Sequence, residues 1–220
     1  MSDKKHLIVI CVAFLALFAS AAWAASQGSA GFISGNLAYE AVKDIPGAMI
    51  YRKPGFDTSS YTKVLIDPIE IWVAQDSKYK GLDADESKAI ADTLRQILTR
   101  ELEPEYPVVN EPGDGVLGIR FAITNVYMKK KKRGLLGYTP IGIVATAAKD
   151  LAGMRMELKR ATIEAEFIDG GSNERLAALL HPLGAGKKDK LSWEKVGQNF
   201  EVYAKRIRAR LDEGKFKGMQ

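Results

Sequence analysis

The spacing of hydrophobic and polar positions changes several times along the chain, and each change predicts an element. Residues 25–60 are rich in Gly, Ser and Ala and keep no sustained helical or strand period, which predicts an irregular leader. Within it, residues 38–42 read as a turn of helix that Ile45, Pro46 and Gly47 break. Residues 63–73 present Val64, Leu65, Ile66, Ile69, Ile71 and Val73, a β-rich run interrupted at Pro68, because proline cannot donate to a ladder. Asp83 opens a helix: Glu86 stands three residues on in a variant of the capping box, and Ile90, Leu94, Ile97, Leu98 and Leu102 share one face before Pro104 ends it. Tyr106 to Val109 is a short extended piece. Leu117, Ile119, Phe121 and Ile123 then alternate with Gly118, Arg120, Ala122 and Thr124, a strand with one face buried and one open.

A further strand begins near Arg155. Met154, Met156 and Leu158 share one phase, whereas Ala161, Ile163, Ala165 and Phe167 occupy the other, so an extra residue near Lys159 or Arg160 forms a bulge. The turn cluster Asp169, Gly170, Gly171, Ser172 and Asn173 leads into Leu176, Ala178 and Leu180, which completes a hairpin and places His181 at a strand end. Ser192 caps a last helix whose apolar stripe is Trp193, Val196, Phe200, Tyr203, Ile207 and Leu211, with Gly214 as its stop. Lys205, Arg206, Arg208 and Arg210 fall on its outer, solvated side. The expected architecture is α+β: a two-layer sandwich, mostly antiparallel sheet with two amphipathic helices packed on it, over residues 61–214.

The N-terminal region has a different character. Lys4 and Lys5 precede an unbroken apolar run over residues 7–18, and Ser20, Ala21, Ala22, Trp23 and Ala24 follow. This is the pattern of a cleavable signal peptide, residues 1–24, with the cut after Ala24 and a periplasmic or secreted product. The run is shorter than the about 20 residues a spanning helix needs. Cys11 lies inside it after Ile10, which argues against a lipoprotein.

Composition matters most once that segment is set aside. Removing Lys4, Lys5 and Asp3 from 32 basic and 27 acidic residues leaves 30 and 26, a net charge of +4. Such a mild excess is no nucleic-acid signature and points to an anionic membrane surface or an envelope protein as partner. No cysteine remains and His181 is the single imidazole, so thiolate chemistry and a multi-histidine zinc site are excluded. A serine triad would depend on His181 alone. No motif implies a cofactor.

Lys129, Lys130, Lys131, Lys132 and Arg133 run directly into a stretch over residues 134–148 that carries no charge until Lys149. Five like charges must stay solvated or face an anionic partner, while Leu135, Leu136, Tyr138, Ile141 and Ile143 call for burial or lipid. The insertion at 129–150 therefore reads either as a peripheral membrane or partner contact, or as a loop folded back over the core. Gly134, Gly137, Pro140 and Gly142 oppose a spanning helix and fit no phosphate-binding order.

The run from Tyr61 to Trp72, with Ala91-Asp92, Tyr106-Pro107-Val108-Val109, Gly115-Val116-Leu117 and Ala165-Glu166, resembles the bacterial domain of unknown function 3313 family over roughly residues 40–213. The resemblance implies an envelope protein, often lipoprotein-like, with no established activity or catalytic residues. Of the residues in that run, Asp67 is expected to accept backbone hydrogen bonds beside Pro68, and Trp72, like Trp193, to sit in the core. The expected role is a non-enzymatic binding or assembly module. A hydrolase working with carboxylates alone, through Asp67 and Glu70, is the alternative.

Overall fold

The computed structural model describes residues 30–79, 82, 84–130, 156–184 and 191–217. Among them, eight strands form one sheet: β1 (Glu40–Ala41), β2 (Met49–Arg52), β3 (Lys63–Ile66), β4 (Glu70–Val73), β5 (Val108–Val109), β6 (Val116–Lys130), β7 (Met156–Asp169) and β8 (Arg175–Leu183). Their order is β1-β2-β8-β7-β6-β3-β5, with β4 also on β6. The long β6, β7 and β8 pair antiparallel, as do β8, β2 and β1. The short β3 and β4 pair parallel with β6, one after the other along its edge. Pro68 thus divides the first β-rich run into two strands.

The helices α1 (Ala84–Leu102) and α2 (Trp193–Lys217) supply one hydrophobic cluster on one face of this sheet. The five apolar positions of α1 and the six of α2 picked out by helical spacing are all buried. They meet the β6 positions Leu117, Ile119, Phe121 and Ile123, also buried. Phe121 packs against Phe200 with ring centroids 4.8 Å apart and reaches Phe167 and Tyr203 at 6.5 Å. Truncating an aromatic so enclosed costs about 3–5 kcal/mol. Ser192 Oγ accepts the Lys195 N–H at 3.2 Å, the predicted N-cap. Asp83 lies outside the described residues.

The opposite face is not open. Ala122 and Thr124 have no exposure, and Phe32 and Ile33 lie over that side in a second small cluster with Ala122 and Ala178. The leader accounts for this. Residues 30–39 cover the sheet, β1 replaces the helical turn expected at 38–42, and β2 pairs with β8. Short strands among Gly, Ser and Ala carry too few apolar positions to show a period. Trp72 belongs to this second layer, half-buried against Phe32 with rings at 81°, and its Nε1 donates to Glu70. It is not in the main core, whereas Trp193 is.

Two irregularities bend the β6–β7 ladder. The register steps between Thr124 and Tyr127, where Asn125 takes a φ of 51°, and again where Tyr127 pairs Arg160 but Met128 pairs Leu158. The second step leaves Lys159 as the extra residue of β7, where the phase change predicts it. At the C-terminus α2 runs through Gly214 to Lys217, correcting the expected stop. Gly214 is present for closeness: a Cβ there would lie 2.3 Å from Thr58 Oγ1 and 2.6 Å from Ser59 N.

Candidate functional site

The strands β6 and β7 stay paired to their ends, Lys129 opposite Glu157 and Lys130 opposite Met156. Lys129 is exposed there. On the same ladder, Lys159 Nζ meets Glu157 Oε1 at 2.5 Å, and Arg160 reaches Asp76 at 2.8 Å and lies 5.3 Å from the Tyr127 ring centre. These ion pairs are solvent-exposed, so each adds little stability. Lys130 and Met156 form the last described pair of the ladder. Lys131, Lys132, Arg133, Leu135, Leu136, Tyr138, Ile141 and Ile143 lie outside the described residues.

His181 stands within β8, two residues before its end at Leu183 rather than at the strand end expected of it, and is 5% exposed. Its Nδ1 faces the Tyr203 hydroxyl at 2.5 Å, and the ring also donates to Pro46, which has only a carbonyl to offer. With Nδ1 accepting from Tyr203, both ring nitrogens are engaged. Burial holds this imidazole below its ordinary value and raises the Tyr203 phenol. A cavity of about 360 Å³ opens beside it, lined by Ile45, Leu183, Leu191, Lys195, Asn199 and Val202.

The densest charge cluster lies on the face covered by the leader. Glu164 and Glu166 project from β7 at positions i and i+2, which share a face, and have 0% and 3% exposure. Glu166 accepts from Arg120 Nη1 at 2.8 Å and Arg175 Nε at 2.7 Å. Glu164 accepts from Thr124 Oγ1 at 2.6 Å and from the backbone N–H groups of Ala30 at 2.9 Å and Ile33 at 3.3 Å. Buried carboxylates persist only when so satisfied. Arg175 also donates to the carbonyl and hydroxyl of Ser34, and Arg120 lies 5.2 Å from the Phe32 ring centre. Burial, followed by the nearby Glu164 charge, pushes the Tyr39 phenol up to about 12.

Asp67 meets this cluster through Arg120 Nε at 3.5 Å, an ion pair in place of the backbone contacts expected of it. Glu164 and Glu166 occupy the phase of β7 opposite the main core, and alternation alone gives them no role. The signal that was available is the adjacent pair Phe32 and Ile33, two large apolar residues among mostly Gly, Ser and Ala over residues 25–36. Among the described residues no group of three or more His, Cys, Asp or Glu is placed to hold a metal ion. No described helix is long and apolar enough to cross a membrane.

A family model described as a protein of unknown function, DUF3313, matches residues 30–205. The chain belongs to this family. The match begins at Ala30, so the segment clasped by Glu164 is part of the family domain and not an appendage. A search of curated proteins finds no match. Among solved structures, the chain is similar to the PelC dodecamer from Paraburkholderia phytofirmans, at 9% identity and a TM-score of 0.37, covering 70% of this chain and 93% of that one. It is also similar to a putative neuraminyllactose-binding hemagglutinin homolog from Helicobacter pylori, at 13% identity and a TM-score of 0.38, covering 74% and 89%. Both likenesses are loose, and neither lends this DUF3313 chain a function.

Proposed function

We propose that this DUF3313 protein is an exported, non-enzymatic binding or assembly module of the bacterial envelope, held peripherally at an anionic membrane surface by residues 129–148. The observation that carries this reading is the origin of the basic run. Lys129 and Lys130, the first two residues of the basic run, are paired with Glu157 and Met156 of β7 at the end of a long ladder, and Lys131, Lys132 and Arg133 follow them directly in sequence. Each contributes about 1 kcal/mol near an anionic leaflet, and the apolar residues after Gly134 add shallow insertion. The export reading rests on the N-terminal pattern described above. The non-enzymatic reading is supported by the engagement of the candidate groups: His181 is doubly hydrogen-bonded, Asp67 is paired with Arg120, and Glu70 is bonded to Trp72.

Flotation with lipid vesicles tests the proposal. The protein without residues 1–24 should float with vesicles containing anionic lipid at low salt, stay behind with neutral vesicles, and release as salt rises. Changing Lys129, Lys130, Lys131 and Lys132 to Gln should abolish flotation while leaving the circular dichroism spectrum unchanged. Flotation that ignores salt, or that survives the four substitutions, would count against it.

A further inference from the structure

Residues 30–36 cross the face of the sheet away from the helices without joining a strand. Of these, Phe32 and Ile33 are the ones buried. The remaining hold is polar: the Ala30 and Ile33 N–H groups on Glu164, and Ser34 on Arg175. Gly31 and Gly35 sit on either side of the buried pair at φ values of 97° and 91°, a region that favours glycine. The segment is thus a bent peptide with a two-residue anchor, its main chain curled so that two N–H groups reach one buried carboxylate.

The floor beneath it is not built like a core. Buried ionic groups are often no better for stability than apolar residues of the same volume, so Glu164 and Glu166 with Arg120 and Arg175 suggest recognition. Ala122 and Ala178 leave room for the anchor, and Tyr39, Tyr51 and Trp72 stand around it. Arginine and aromatic side chains about a small pocket are the composition of peptide-recognition surfaces. We propose that this face is a peptide-docking groove, filled in cis by residues 30–36, and that a segment of another chain with the same bend and the same chemistry displaces them. That chemistry is two backbone N–H groups three residues apart, an aromatic-aliphatic pair and a following serine. The groove is a contact separate from the basic end of the β6–β7 ladder.

The test uses a fluorescent peptide copying residues 29–37 and the full chain carrying Phe32→Ala and Ile33→Ala, which loosens the resident segment. Anisotropy should show saturable binding to this variant, about tenfold weaker binding to the unaltered chain where the resident competes, and about tenfold loss when Glu164→Gln is added. Self-association of the loosened variant that Glu164→Gln removes also supports the groove, with a second copy as the occupant. Hydrogen exchange on the unaltered chain removes dependence on the variants folding. Excess unlabelled peptide should speed exchange at the Ala30 and Ile33 amides and leave Thr162 and Ile163 protected. Exchange unchanged by peptide, or peptide binding indifferent to Glu164→Gln in a folded protein, overturns the proposal.

Discussion

Glu166, with 4% of its side chain exposed, depends on two arginines, and the loss of either should be felt. Arg175 also ties down Ser34, so Arg175→Ala is expected to destabilise by an amount near the low end of the about 3–5 kcal/mol that breaking a buried pair costs, since Arg120 remains. A urea titration of the two proteins reads this directly. His181 gives a pH dependence of known sign. Its folded value lies below the ordinary 6.5 because burial disfavours the cation. As pH falls through 6.5 the unfolded chain takes up a proton that the folded chain refuses, so this contribution is full above 6.5 and is lost below it. Thermal midpoints measured across that range should fall with acid, and His181→Asn should flatten the part of the slope nearest 6.5. Single residues were the hardest scale to read in the sequence. Alternation shows that Glu164 and Glu166 share a face, but whether a distant segment covers that face depends on tertiary contacts more than 130 positions apart.

At the scale of elements the apolar period carried most of the information. Both helices, the bulge at Lys159 and the β7–β8 hairpin follow from spacing, because each buries a stripe long enough to show its period. The failures share a cause. The strands β1 and β2, two and four residues long, are too short to show a period, and Pro68 was read as one flaw in a strand where it separates two. Gly214 is the instructive case. Propensity alone says that Gly→Ala inside a helix gains about 1 kcal/mol. The contact with Thr58 and Ser59 reverses the sign: Gly214→Ala should lower the thermal midpoint, with overpacking of about 1–3 kcal/mol exceeding the gain. A raised midpoint would mean that the segment around Thr58 yields at little cost.

Over the described residues, the picture is a sheet with a different covering on each face and the start of the basic run, Lys129 and Lys130, at one end of its longest ladder. The helices supply the hydrophobic layer that holds the fold, and residues 30–39 close the other side through charge and two apolar anchors. The segment 131–155 lies in sequence between β6 and β7, whose last described pair is Lys130 with Met156. Membrane contact through that segment is the central claim, and hydrogen–deuterium exchange with and without anionic vesicles tests it where it applies. Slower exchange over residues 127–150 in the presence of vesicles, with α1 and α2 unchanged and the difference removed by high salt, is the predicted result. Unchanged exchange across 127–150, or protection confined to another surface of the bound protein, would contradict it.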